Sequence, residues 1–428
     1  MSRLLRPEAT GEATWSVGRT IPLKRPPRGE FALTFSKLRP DQHRVIHVVT
    51  IPTTLSFFHG QFSYLKRHGY DVSAVASPTT DFELILLELG IKGHGVPMER
   101  EIAPLKDLLS LVRLWSLFRR ERPHIVHGHT PKGGFLSILA AWLARVPVRV
   151  YHLHGLRLET TRGLKRLVLM ATEKLTCRLS HRVIAVSRSL AAKTVEMGIC
   201  PPAKITVFGS GSVNGVDSEG RFNPKNVDPS ARLRLREQYS IPVNALVIGF
   251  VGRITRDKGI IELVDAWQIV SGRVPHAHLV VVGEFESGDP IPEEVRDRLV
   301  SDTRIHLTGR VTNMPEIYRM LDLVVLPTHR EGLGQVLLEA AAMELPVVAS
   351  RVTGCVDAVE DGVTGILVPP GDSVALANAI LKYLYDADLR DQHGRAARKR
   401  VLDKFKPKQV WDALVAEYDT LLEKARCS

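Results

Sequence analysis

The chain has 428 residues, 44% of them hydrophobic, with 58 Lys and Arg against 46 Asp and Glu and a formal net charge of +12. That length exceeds what one core organises and favours two or three domains, two similar halves being the simplest division. No run reaches the roughly 18 to 20 uninterrupted apolar residues that span a bilayer, since the best stretch, FLSILAAWLA, ends at Arg145; the expectation is a soluble or peripheral protein.

Cys177, Cys200, Cys355 and Cys427 form no C-x-x-C pair, which speaks against a disulfide framework or a zinc site and fits a reducing cytosol. The charge is uneven, with 31 basic against 17 acidic side chains through residue 220 and 27 against 29 beyond it. A basic first half can serve nucleic acid, anionic lipid or a phosphorylated substrate. No helix-turn-helix, RNA-binding or zinc-finger signature favours nucleic acid, so a lipid surface or a diphosphate acceptor is preferred.

In chain order, residues 1–42 mix Arg, Pro, Gly and Thr without a secretory apolar core and read as a mobile extension. Residues 43–215 repeat short apolar runs followed by helical stretches, the pattern of parallel strands joined by crossover helices. RVIHVV, VSAVAS, IVHGH, VRVYHLHG and RVIAVS are the strands, and LLSLVRLWSLFRR and LKRLVLMATEKLTCRL are helices with Lys and Arg on their outer face. GSGSVNGVD, Gly209 to Asp217, interrupts the pattern as a hinge. Residues 216–405 restart it with ALVIGFVGR, HLVVVGE, RIHLTGR, LDLVVLP, LPVVAS and TGILVPP. Residues 406–428 hold a last amphipathic helix placed to cross back to the first domain. Two doubly wound domains in tandem put a ligand in the cleft between them, outside the carboxyl ends of the strands.

The chemistry-bearing motifs lie there. FVGRITRDKG sets Gly252 and Arg253 after a strand and Lys258 at the mouth of the next helix, a candidate diphosphate clamp or a pair of surface salt bridges. HREGLGQVLLEAAAMELPVV holds Glu331 and Glu339 eight residues apart around Gly332, Leu333 and Gly334, whose amides and following helix suit an anion. Glu339, one turn into that helix, suits vicinal ribose hydroxyls. Asp386-Ala-Asp388 spells D-x-D, yet it stands away from any strand end, and no metal is expected there.

The ordered set VGR…KG, LTGRVTNMPEIYRMLDLVVLPT, the two glutamates and SRVTGCVDAVEDGVTGILVPPGD resembles glycosyltransferase family 4 from about His43 to the C-terminus. The resemblance implies the GT-B fold, two doubly wound Rossmann-like α/β domains facing across a cleft, the second holding a nucleotide sugar. It implies Arg253 and Lys258 for the diphosphate, Glu331 for the donor sugar, Glu339 for the ribose, and Gly252, Gly332, Leu333 and Gly334 as further donor contacts. HTPKGGFLSILAAWLARVPVRVYHLHGLRLE is similar to the capsule and exopolysaccharide branch. That likeness implies UDP-sugars and a polyprenyl-diphosphate-linked acceptor. It carries His154 as a residue facing the sugar and Gly60, in FFHGQ, on a loop over the phosphates; a histidine satisfied within the sheet is the alternative for His154. The family resemblance implies retention, and because no side chain stands out as a protein nucleophile, same-face displacement with the departing phosphate as base is preferred to a double displacement. No cofactor beyond the sugar nucleotide and no nucleic acid is implied, and the place of action is the cytoplasmic membrane face. A soluble acceptor, an epimerase or hydrolase, and a non-catalytic sugar-nucleotide-binding subunit remain the competing readings.

Overall fold

The computed structural model describes residues 42–427, so the extension proposed for 1–42 lies outside the described residues except for Gln42. The first sheet contains β1 (His43–Val48), β2 (Tyr70–Ala76), β3 (Lys92–Gly95), β4 (Ile125–His129), β5 (Val148–Leu153), β6 (Arg182–Ala185) and β7 (Ile205–Thr206). Their order across the sheet is β3-β2-β1-β4-β5-β6-β7, every pairing parallel. The second sheet contains β8 (Leu246–Val251), β9 (Ala277–Val282), β10 (Ile305–Gly309), β11 (Leu323–Leu326), β12 (Val347–Ser350) and β13 (Gly365–Val368). It runs β10-β9-β8-β11-β12-β13, again parallel throughout. Helices cover both faces of each sheet, so central strands such as β9, AHLVVV, are buried at every residue instead of alternating.

All eleven strands expected from the sequence are present, and two more appear. β3 has the sequence KGHG and β7 only two residues; both are edges of the first sheet. Neither carries an apolar run, and each is a strand because a neighbouring backbone offers it hydrogen bonds. In each sheet the strand order reverses beside its first strand, between β1 and β4 and between β8 and β11, where parallel sheets leave a crevice at their carboxyl ends.

The chain crosses between the sheets twice, and the two crossings touch. Gly215 has φ +70°, and a Cβ there would stand 2.6 Å from Cα of Pro407. The Val216 amide donates to the Phe405 carbonyl at 2.8 Å. After the second crossing the helix Pro407–Cys427 lies on the first sheet, burying Val410, Leu414, Tyr418, Leu421 and Leu422 in one core with Val45, Phe58 and Phe62. The i, i+4, i+8, i+11 spacing of that stripe lets the last segment of the chain complete the core of the first half.

Two outer elements acquire a structural account. The helices Pro104–Glu121 and Gly163–Leu179 are not simply basic outside, for Leu105, Leu108, Leu164 and Leu167 are exposed among their Lys and Arg. Asp386 of the D-x-D is the N-cap of the helix Ala387–Lys404, its side chain accepting from the Leu389 amide at 2.9 Å, so it serves the start of that helix. Among the described residues no helix is long and apolar enough to cross a membrane.

Leu414 is 2% exposed inside the shared core. Leu414→Ala is expected to cost about 2–5 kcal/mol in urea unfolding by leaving a cavity there. A cost below about 0.5 kcal/mol would show that the helix is not docked in this way.

Candidate active site

The carboxyl ends of the two sheets face one cavity of about 1120 Å³. Arg100, Glu101, Arg157 and Glu159 line it from the first half, and Arg253, Asp257, Glu286 and Arg330 from the second. The second-half groups come from the loops after β8, β9 and β11, the positions that flank the strand-order reversal.

Arg253 stands immediately beyond β8 and is held from two sides. Its guanidinium donates to Glu286 at 2.9 Å and to Asp257 at 3.3 Å. Asp257 also accepts from Arg330 at 2.7 Å and from the Thr255 hydroxyl at 2.6 Å. Burial pushes the Asp257 carboxyl up, but the Thr255 hydrogen bond and the cations Arg330, Arg253 and Lys258 outweigh it and hold the acid below its ordinary value. Lys258 is ion-paired to Glu331, both side chains being less than one-fifth exposed. The fold therefore gives each expected cation a carboxylate partner, Glu331 for Lys258 and, for Arg253, Glu286 and Asp257, which Arg100 and Arg330 share; Asp257 and Arg330 were visible in the sequence only as neighbours of Lys258 and Glu331. An anion entering here meets donors already oriented by those carboxylates.

Glycines set how closely the loops approach. Gly259, with φ +74°, stands where a Cβ would lie 1.8 Å from the Pro327 carbonyl oxygen, so the loop after β8 rests on the one after β11. Thr328 donates to the Asp257 carbonyl at 3.0 Å and the His329 amide to the same carbonyl at 2.9 Å, locking the two loops together. A Cβ on Gly332 would stand 1.9 Å from the carbonyl oxygen of His154 in the other half of the chain. Ser187, beyond β6, donates its hydroxyl to the Gly332 carbonyl at 2.6 Å. Asp357 of the second half accepts from the Arg188 and Ser189 amides at 3.1 and 3.2 Å, at the start of the helix Arg188–Glu196. Among the described residues the amides of Gly332, Leu333 and Gly334 make no hydrogen bond, and Gly334 at φ +72° opens the helix Gln335–Ala342. Those amides and the helix start suit an anion.

Glu339 lies in that helix, accepting from the Tyr318 hydroxyl at 3.0 Å. Burial pushes its carboxyl up to about 7, although the Tyr318 hydrogen bond and the nearby Arg221 pull it down. No local sequence signal marks Tyr318, Ser187, Asp357 or Arg221 as neighbours of the site; they arrive by folding.

The remaining expected residues part company. Gly252 uses its amide in the sheet, donating to Val282 at 2.9 Å, and its carbonyl lies against Gly283. Gly60, at φ +81°, stands with its missing Cβ 2.8 Å from the Trp411 ring of the returning helix. Of the expected site residues only Arg253 is among those lining the cavity; Lys258, Glu331, Glu339, His154 and the glycines stand outside that lining. His154 bonds His129 at 3.2 Å, as His129 does His47 at 3.0 Å. Burial pushes His154 down to about 4 and His47 to about 3, so both are neutral at pH 7. His154 can therefore offer a hydrogen bond to a ligand but no charge.

Those three rings, with His127 and His152, form a stack at the ends of β1, β4 and β5. Within it two overlapping triads bring ring nitrogens to within 4.8 Å of one another. Zinc would need ring nitrogens at about 2.0–2.1 Å from the metal. As it stands the rings are neutral, His47, His129 and His154 are bonded in series, Tyr418 bonds His127 at 2.6 Å and His47 at 3.5 Å, and neither ring nitrogen of the buried His152 has a partner.

Two outcomes test this geometry. Gly332→Ala is expected to force the loop from His154 and lower turnover roughly 100-fold, as misplaced reacting groups do, with unchanged far-UV circular dichroism; wild-type turnover would show that the close approach is not needed. For Glu339 the carboxyl ionises near 4.5 when unfolded and near 7 when folded, so its contribution to stability is complete below about pH 4.5 and lost as pH rises through about 7. The side chain is not sealed from water, so Glu339→Gln is expected to be more stable than wild type by on the order of 1–2 kcal/mol above pH 7 and equal to it below pH 4.5. Denaturant curves at pH 4 and pH 8 check this, and a pH-independent difference would contradict it.

Comparison with known proteins agrees with this architecture. The profile described as "Glycosyl transferases group 1" matches residues 245–386, and that described as "Glycosyl transferase 4-like domain" matches residues 56–211. The capsular polysaccharide biosynthesis glycosyltransferase CapM of Staphylococcus aureus is 36% identical over 383 residues, covering 89% of this chain and 98% of that protein. The Escherichia coli UDP-Gal:alpha-D-GlcNAc-diphosphoundecaprenol alpha-1,3-galactosyltransferase is 27% identical over 333 residues, 76% of this chain and 83% of that one. Anabaena HepE, solved in complex with UDP and glucose, superposes with a TM-score of 0.73 at 20% identity, covering 89% of this chain and 100% of that chain. The agreement runs through both halves and both sheets, and the chain therefore belongs to the group 1, family 4 glycosyltransferases, enzymes of the GT-B fold.

Proposed function

We propose that this glycosyltransferase moves a hexose or N-acetylhexosamine, with retention, from a UDP-sugar to an undecaprenyl-diphosphate-linked saccharide. The pathway would be capsule, exopolysaccharide or O-antigen assembly, with the enzyme peripheral on the inner membrane face. The observation that carries the donor half is the network at the ends of β8 and β11, where Arg253 and Lys258 converge with Glu331 beside the free amides of the glycine loop. The acceptor half is supported by the Escherichia coli relative, whose name includes a diphosphoundecaprenol acceptor, and the pathway by the capsular relative.

In this reading the donor diphosphate displaces Glu286 and Glu331 as partner of Arg253 and Lys258. The two cations and the loop amides then stabilise charge on the departing UDP as the anomeric carbon becomes oxocarbenium-like. The released Glu331 accepts hydroxyls of the donor sugar, and Glu339 accepts those of the ribose. The acceptor hydroxyl attacks from the face that UDP leaves, its proton passing to the departing phosphate. The bond to the UDP oxygen breaks as the new glycosidic bond forms on the same face, so configuration is kept. Neutral His154 hydrogen-bonds the sugar from the first half. No cofactor beyond the sugar nucleotide is required.

The test is transfer of radiolabel from a panel of UDP- and GDP-sugars into solvent-extractable lipid, with membranes as the acceptor source. Label from one UDP-sugar is expected in lipid. Arg253→Ala is expected to lower that rate on the order of 100- to 1,000-fold, as removal of one preorganised donor does. Wild-type transfer by the variant would remove Arg253 from the diphosphate site. Donor consumed without labelled lipid would move the reaction to a soluble acceptor or to hydrolysis.

A further inference from the structure

Two helices of the first half that carry exposed leucines also flank a groove. Between the helices Pro104–Glu121 and Gly163–Leu179 runs a channel of about 400 Å³, within the size range of ligand sites. Its floor is Phe135 and Leu136 of the helix Pro131–Leu143, and its sides include Ile102 and Pro104 opposite Val168 and Leu169. The inner end reaches Thr50 and Thr130, just past β1 and β4, at the carboxyl edge of the first sheet. The same two helices carry Leu105 and Leu108, and Leu164 and Leu167, each more than half exposed.

The charges are graded along this channel. Lys132 is neutralised by Asp107 at 2.7 Å, both side chains less than one-fifth exposed. Arg157 and Lys165 share one exposed carboxylate, Glu101, at 3.8 and 3.5 Å. With Arg100, these three groups line the groove and also the interdomain cavity. An under-neutralised pair of cations thus stands where an apolar channel meets the cavity, an arrangement complementary to an amphiphile with a diphosphate head and a hydrocarbon tail.

We propose that this groove seats the lipid of the acceptor. Arg157 and Lys165 take the diphosphate, the first isoprene units lie along Phe135, Val168 and Leu169, and the chain leaves over the exposed leucines toward a bilayer. The proposal rests on the lipid-linked acceptor read above and adds the place and the residues that hold it. The groove keeps the saccharide end of such a molecule in the cavity with the donor network while its tail stays in an apolar phase.

The experiment is calorimetric titration of the full chain with farnesyl diphosphate, as a short isoprenyl diphosphate, and with inorganic pyrophosphate as the head alone. Farnesyl diphosphate is expected to bind at least about tenfold more tightly than pyrophosphate. Thr172→Trp, which fills the groove, and Val168→Glu, on its partly exposed wall, are expected to remove that advantage without changing affinity for pyrophosphate or for UDP. Arg157→Ala with Lys165→Ala is expected to weaken both diphosphates. Equal affinity for the two ligands, or no effect of both groove variants, overturns the proposal. So does a dimer by sedimentation that Leu105→Glu dissociates, which assigns the leucines to a second copy of the chain. The two readings fail separately: transfer to a lipid-linked saccharide with no preference for farnesyl diphosphate discards the groove alone, and a groove-dependent preference without transfer to any lipid-linked saccharide discards the reaction alone.

Discussion

The contact on which the rest of the molecule depends is the approach of Gly332 to the carbonyl of His154, close enough that no Cβ fits between them. It brings the carboxyl ends of two separate sheets into backbone contact. Ser187 and Asp357 then fasten the contact from either side by hydrogen bonds across the same junction. Two doubly wound sheets each have a crevice at their switch point. Only when the crevices are turned to face each other at this distance do the cations of one half and the basic wall of the other border one cavity.

The returning helix is the second condition. By placing Leu414 and Tyr418 in the core under β1 it makes the first half dependent on the last residues of the chain. It also holds the stack of histidines at the ends of β1, β4 and β5, since Tyr418 bonds His127. His154 ends the bonded series His47, His129, His154 beside the glycine loop. Its neutrality follows from burial, and its carbonyl forms the floor on which the glycine loop rests.

Within the donor network every cation has a carboxylate partner. That economy keeps a strongly charged, partly buried cluster stable, because an unpaired buried charge would be costly. It also orients Arg253 and Lys258 toward the place where a diphosphate would compete for them. Glu339 shows the opposite arrangement, a carboxyl held where its charged form is disfavoured, and such positions are retained at functional sites more readily than elsewhere. The outer helices add a second departure: a face readable as solvated and basic carries exposed leucines.

The alternation of apolar runs with helix-length segments determined the α/β class and eleven of the thirteen strands, because a strand buried on both faces must be apolar throughout. The motifs after β8 and β11 were local, so Arg253, Lys258, Glu331 and Glu339 could be picked out and their gathering anticipated from the rule that parallel sheets bind at their carboxyl ends. Other features had no local signature. β3 and β7 exist through pairing with neighbours. Gly252 and Gly60 serve the sheet and the returning helix, a role decided by what packs against them. Tyr318, Ser187 and Asp357 reach the site from distant segments. The sequence by itself determined which residues carry charge and which segments bury their surface; the tertiary structure alone decided who partners whom, since a hydrogen bond or a steric contact across 145 residues, as between Ser187 and Gly332, depends on distances that no spacing along the chain records.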